Sequence, residues 1–327
     1  MSNQSIPTRF TKLLGCEYPI IAGPMFLVST EKLVSEVSNS GGVGGAPSLN
    51  WKTSELFDQA LATIKSQTKK PFAVNLIVNK ANPRVERDLD LCVKHKVPLV
   101  ITSLGNPKSV IDKVHAYGGK VFCDVIDLKY ALKVQDQGCD GVTAVSAGAG
   151  GHAGPTSPLV LLPYLKKHLK VPIVAAGGIM LGRQILAALI LGADAVQLGT
   201  RFIATTEAGV TQDYKQAILD FSPEDIVLTT RISGTPAAVI KTRYIEKLGL
   251  DLNPLEKILL KNEKTKKYMK MLRYFLGQGI LEKAATQTTW KNVWSAGQGV
   301  GLIDKISPAS EVMKELVAEY WEVRGAL

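Results

Sequence analysis

The chain has 327 residues, 46% of them hydrophobic, with a formal net charge of +10. That is enough apolar material for one large α/β domain with an appendage. The 29 glycines cluster at the ends of apolar runs, which excludes collagen-like repeats and a disordered chain.

Short β-rich apolar runs recur through the first two-thirds: Pro19-Ala22, Val43-Ala46, Phe72-Val78, Leu99-Ser103, Lys120-Val125, Gly141-Ser146, Pro172-Ala176 and Ala195-Gly199. They are near-continuous rather than alternating, as expected of strands covered by helices on both faces. Amphipathic stretches fill several of the gaps, among them Glu31-Ser38, Ser54-Lys65, Val85-Lys94, Tyr130-Gln137 and Gly182-Leu191. Eight β-α units in this span predict an α/β fold of the (β/α)8 TIM-barrel type. The competing doubly wound sheet would show GxGxxG after its first strand, and Ala22-Gly23-Pro24-Met25 is not that turn.

After Ala208 the pattern changes to Lys, Leu and Tyr at helical spacing, as in Leu255-Glu256-Lys257-Ile258-Leu259-Leu260. This predicts a smaller, mostly helical inserted domain over 209–290 that covers the substrate, with a barrel built from 1–208 plus 291–327. The alternative is a set of extra peripheral helices. Asp304 to Leu327 reads as a closing amphipathic helix. Tyr214, Tyr244 and Tyr268 are candidate substrate contacts of this region, or packing residues.

Arg243 to Lys291 holds eleven Lys or Arg against five Asp or Glu, centred on Lys261–Lys267. Glu256, Glu263 and Glu282 break up that field and no nucleic-acid module accompanies it, so nucleic acid is not an expected partner. A solvated helical face that draws in small anions fits better. Cys16, Cys92, Cys123 and Cys139 show no CxxC spacing, which argues against a disulfide framework and a zinc site, and a cytoplasmic location is expected. Met1 to Arg9 is polar, without a secretory h-region. No apolar run approaches the roughly 20 residues needed to span a bilayer, so no membrane is expected either.

The carboxyl ends of the strands carry the candidate chemistry. Gly177-Gly178 follows the seventh strand and Gly199-Thr200-Arg201 the eighth, where such barrels bind phosphate through backbone N–H groups. Gly23-Pro24-Met25 offers a tight turn and a thioether beside a ring. Asn75 and Asp124 are polar residues in apolar strands that need partners, from a ligand or from the core. Ala147-Gly148-Ala149-Gly150-Gly151-His152-Ala153-Gly154 presents a bare backbone from which one imidazole rises. Trp294-Ser295-Ala296-Gly297-Gln298 is a further small-residue loop, a second contact edge for a planar cofactor or an ordinary turn.

Together, Tyr18–Met25, Asn75, Asp124, Gly148–Gly154, Ala176–Gly178, Leu198–Phe202 and Ser295–Gln298 resemble the nitronate monooxygenase family, formerly 2-nitropropane dioxygenases. The resemblance implies a barrel holding non-covalent FMN under a smaller domain. It implies that Gly177, Gly178, Gly199 and Thr200 hold the FMN phosphate, and that Met25, Asn75 and Gln298 lie along the ring. Gly23, Pro24, Asp124, Ala149, Gly150 and Gly151 complete the expected cofactor set, with His152 as catalytic residue and no metal.

Members of this family include nitronate monooxygenases, NAD(P)H:quinone reductases and flavin enoyl-ACP reductases. The segment Cys123–Ala131 followed by GAGGHAG is similar to sequences grouped with the first. The expected reaction is oxidation of alkyl nitronates with O2 to carbonyl compounds and nitrite, with nitronate or nitroalkane and O2 as partners. NAD(P)H-dependent reduction of quinones or enoyl thioesters is the alternative, and a flavin-binding barrel without turnover is a third. A homodimer is left open.

Overall fold

The computed structural model describes residues 4–79, 82–231, 236–250 and 293–327. Eight parallel strands close into a barrel in sequence order: β1 Ile20–Ala22, β2 Val43–Pro47, β3 Phe72–Ile77, β4 Leu99–Ser103, β5 Lys120–Val125, β6 Gly141–Val145, β7 Ile173–Ala176 and β8 Ala195–Leu198. β8 pairs back on β1, with Ile21 opposite Gln197. Each strand matches its sequence expectation to within a residue at either end, because strands buried on both faces leave unbroken apolar runs.

Alternation along each strand divides the side chains between two layers. Val74, Val100, Val121 and Val142 point outward into the layer shared with the helices. Ile21, Ala73, Ile101, Phe122, Val174 and Ala195 fill the barrel interior. A short helix, α1 (Arg9–Leu14), closes the amino end of the barrel. Its Phe10 meets Phe122 edge-on with ring centroids 5.8 Å apart, and Arg9 grips Asp194 through two 2.7 Å hydrogen bonds.

The covering helices are α2 (Glu31–Asn39), α3 (Ser54–Gln67), α4 (Val85–His95), α5 (Lys108–His115), α6 (Leu128–Asp136), α7 (Pro158–His168) and α8 (Gly182–Ile190). Thr30, Thr53 and Asp127 cap three of them by accepting from a backbone N–H. Five of these were marked by amphipathic spacing. α7 carries Pro163 and a nearly continuous apolar start that blur its periodicity, whereas α5 buries Val110, Ile111 and Val114 on one face but is only eight residues long.

Beyond β8 come α9 (Thr200–Ile203), α10 (Gln212–Asp220), an antiparallel pair β9 (Ile226–Thr229) and β10 (Ala237–Ile240), and α11 (Arg243–Leu248). The described part of 209–290 thus contains a small sheet beside its helices. Its strands are four residues each, too short to stand out against the helical spacing around them. Leu255–Leu260, the basic cluster Lys261–Lys267 and Tyr268 lie outside the described residues. The final helix, α12 (Ala309–Ala326), returns to pack on α8 and α2.

Candidate active site at the carboxyl mouth of the barrel

Two residues beyond the interior layer, the same alternation brings Gly23, Asn75, Ser103, Asp124, Ala176 and Gln197 to the inner face at the strands' carboxyl ends. All six line a cavity of about 930 Å³. Cavities for one small ligand run to roughly 300–1,000 Å³, so this one has room for a cofactor and a substrate together.

The floor is polar and directional. Asn75 Nδ2 donates to Ile101 O at 3.2 Å and to Ser103 Oγ at 2.7 Å. Ser103 Oγ donates in turn to Asp124 Oδ2 at 2.5 Å. Both amide hydrogens of Asn75 are therefore committed to protein, which leaves its Oδ1 for a ligand N–H. Asp124 Oδ1 and Gln197 Oε1 are buried without a hydrogen-bond partner. Thr143, register-paired with Asp124, brings its hydroxyl near the carboxyl but outside hydrogen-bond geometry. Burial pushes the Asp124 carboxyl up to about 6, against the opposing pull of the Ser103 and Thr143 hydroxyls.

The walls are glycine loops. Gly23, Pro24 and Met25 form one side, while Gly177, Gly178, Gly199 and Thr200 form another. Gly178 has φ of +71°, and a Cβ there would meet no heavy atom within 4 Å, so its missing side chain opens onto free space. The Thr200 hydroxyl accepts from Gly297 N at 2.9 Å, which leaves its own hydrogen to donate.

Opposite stands the loop Gly148–His152, with Ala149, Gly150, Gly151 and His152 all on the cavity. It is held from outside by close backbone packing. A Cβ on Gly150 would stand 2.8 Å from Ala296 C and Gly297 N. Gln298 starts a short 3₁₀ turn and is exposed; its N–H holds Gly148 O at 3.1 Å, and its Oε1 lies 3.6 Å from where a Cβ on the cavity-lining Gly148 would stand.

His152 lines the cavity and is exposed. Loss of solvent to the surrounding protein still lowers its pKa below the ordinary 6.5. At neutral pH the imidazole is uncharged.

Sequence reasoning singled out neither Ser103, which follows Thr102 at the end of its apolar run, nor Gln197, a lone polar residue within one. Tyr214 lines the cavity, stacks on Trp294 with centroids 5.5 Å apart, and donates its hydroxyl to Ser295 O at 2.6 Å. Tyr244 packs instead with Val239, Ile245 and Val293, away from the cavity lining. Across the mouth from β8, Leu104, Ile126, Tyr130 and Lys133 extend the lining outward.

Unpartnered acceptors on the floor, a side-chain-free wall and glycine turns after β7 and β8 fit a planar heteroaromatic ring with a polar edge and a phosphate tail. Fold and site together define a (β/α)8-barrel oxidoreductase built around such a cofactor. The family model for nitronate monooxygenase matches residues 7–87 and 82–319. A probable nitronate monooxygenase of Staphylococcus saprophyticus is 30% identical, over 92% of this chain and 94% of the relative. A (3aS,4S,5R,7aS)-5-hydroxy-7a-methyl-1-oxo-octahydro-1H-indene-4-carboxyl-CoA dehydrogenase of Rhodococcus jostii is 28% identical, over 96% of each chain. The solved structure of FabK from Thermotoga maritima superposes with a TM-score of 0.86 at 32% identity, over 99% of this chain and 100% of that one. The chain belongs to the nitronate monooxygenase family of flavin-dependent oxidoreductases.

Proposed function

We propose that the protein binds FMN and oxidises alkyl nitronates with O2 to carbonyl compounds and nitrite. The observation that carries this reading is the uncharged imidazole of His152, raised from a side-chain-free loop into the cavity. A neutral His152 donates one N–H to a nitro oxygen and so orients the substrate. Where a neutral nitroalkane arrives instead, the uncharged imidazole takes its α-proton. Gly177, Gly178, Gly199 and the Thr200 hydroxyl would hold the phosphate, and Met25, Asn75 and Gln298 the ring. When bound, the flavin accepts the substrate's electrons and passes them to O2. The apolar share of the lining keeps water away from the reacting atoms.

A second reading, NAD(P)H-dependent redox chemistry on an enoyl or acyl thioester, draws on the floor charge. With its carboxyl raised only to about 6, Asp124 is mostly ionised at pH 7 and opposes an anionic nitronate. A neutral thioester escapes that penalty, and the lining that runs out to Lys133 gives length for an acyl group. The Rhodococcus jostii relative is named as a dehydrogenase of a CoA thioester. Anaerobic stopped-flow mixing decides between the two. Bleaching of the flavin by propyl-2-nitronate, with none by NADH or NADPH, supports nitronate oxidation. Fast bleaching by a nicotinamide cofactor alone sinks it as the main activity.

A further inference from the structure

The proton on the floor of the barrel has no assigned role in either reading. Asp124 is reached by a chain of donors that runs one way, from Asn75 Nδ2 to Ser103 Oγ and from Ser103 Oγ to Asp124 Oδ2. The serine hydrogen points at Asp124 because its oxygen already accepts from Asn75. Such a chain polarises toward its end and favours negative charge there. The second oxygen, Oδ1, is sealed from solvent and has no partner. An orphaned carboxylate oxygen is costly, so in the ligand-free protein the group keeps its proton to higher pH than an exposed aspartate.

We propose that Asp124 Oδ1 accepts a hydrogen bond from the N–H of the flavin ring, and that seating the ring releases the proton this carboxyl holds without it. The inference rests on the flavin-binding reading of the cavity and on neither choice of substrate. Among the described residues, the groups facing Asp124 are neutral: Ser103 on β4, Asn75 on β3, Thr143 on β6 and Gln197 on β8. Tyr130 on α6 adds a phenol whose own ionisation is pushed up by burial. The titratable groups elsewhere on the same cavity are His152, Asp127, Lys133 and Tyr214, the last with its ionisation pushed up by burial. Burial alone raises the carboxyl, with no charged partner and against the pull of two hydroxyls. A donor N–H supplies what Oδ1 lacks, and the ionised form then becomes the stable one.

The test uses riboflavin, which has the ring but no phosphate, because a phosphate ester titrates near pH 6 itself. Riboflavin affinity of the full chain is followed by fluorescence quenching between pH 5 and pH 7. If only the ionised carboxyl takes the ring, affinity rises about tenfold over that interval. Asp124→Asn keeps an acceptor without a titrating proton, so it binds riboflavin with a flat profile. His152→Gln keeps the slope. A slope that survives in Asp124→Asn, or disappears in His152→Gln, overturns the proposal. Should Asp124→Asn fail to fold, calorimetry of the unaltered protein in buffers of differing ionisation enthalpy gives the answer at pH 5.5. Proton release on riboflavin binding supports the assignment, and uptake or no exchange overturns it. Riboflavin binding without proton exchange leaves the flavin site standing, whereas absence of binding at every pH removes both.

Discussion

Gly151 and Ala238 are joined by two antiparallel backbone hydrogen bonds, Gly151 N to Ala238 O at 3.0 Å and Ala238 N to Gly151 O at 2.7 Å. The loop that carries His152 is thereby an added edge of the β9–β10 hairpin. Further along the same edge, opposite β9, β10 bridges Ser295 through Val239, and Ile240 N donates to Trp294 O at 2.8 Å. Histidine loop, hairpin and C-terminal loop form one ladder along the mouth. The segment that follows the barrel strands thus holds the backbone from which His152 projects.

Ala238→Pro removes the N–H that Gly151 O accepts while leaving the barrel strands untouched. Losing one such backbone bond costs roughly 1 kcal/mol, which is about fivefold in the population of the ordered loop. The expected result is a several-fold drop in kcat, with FMN affinity changed less than twofold. Equal loss of cofactor and turnover would show that the hairpin props the whole mouth and not the His152 loop alone.

Two glycines separate packing from ligand space. Gly150→Ala drives a methyl against the backbone of Ala296 and Gly297, which has no rotamer with which to yield. Overpacking of this kind costs roughly 1–3 kcal/mol, and a lowered Tm with or without FMN is expected. At Gly178 a methyl meets no protein atom within 4 Å, and the left-handed backbone costs only about 1–2 kcal/mol. There the expected loss is in FMN affinity, with riboflavin affected much less. Equal weakening of FMN and riboflavin would move the phosphate away from this turn.

The contrast between barrel and insertion has a physical source. Parallel strands buried on both faces must be apolar throughout, so the eight runs stand out, and the last inward position of each is where a polar residue has no structural reason to be. Asn75 and Asp124 were legible on that rule. Ser103 and Gln197 obey it equally, but serine and glutamine at a strand end read as the beginning of a loop. The Gly151–Ala238 pairing joins residues 87 apart through two residues of main chain, which no side-chain pattern records.

Ligand-free stability should fall as pH rises through the range in which Asp124 ionises. The folded-state value of about 6 lies above the ordinary 3.8, so the folded protein binds more protons than the unfolded chain between these values. The benefit is fully present near pH 4 and is lost as pH passes about 6. The shift corresponds to about 3 kcal/mol at 1.36 kcal/mol per unit. Relative to the wild type, Asp124→Asn gains up to about that amount between pH 4 and pH 8. Urea unfolding of both proteins at several pH values reads it directly, and parallel stability curves would disprove a buried ionisation at this position.

His152 gives the sharpest separation of roles, because its two duties respond differently to substrate form and to pH. As a base toward a neutral nitroalkane it must be uncharged. Its pKa lies below 6.5 through loss of solvent, so kcat/KM for nitroethane should rise with pH through that region and level off before neutrality. As an orienting donor toward a preformed nitronate it needs only an N–H, which both protonation states possess. The low-pH limb set by His152 should therefore be missing from the nitronate profile, although any limb set by Asp124 remains. His152→Asn keeps a donor and loses the base. Removal of general-base catalysis is expected to lower kcat/KM for nitroethane by about 10²–10⁴-fold. Turnover of propyl-2-nitronate should fall by no more than about tenfold, the worth of one misplaced hydrogen bond. Equal losses on both substrates would show that the imidazole acts on a step the two share, and the base role would have to be given up.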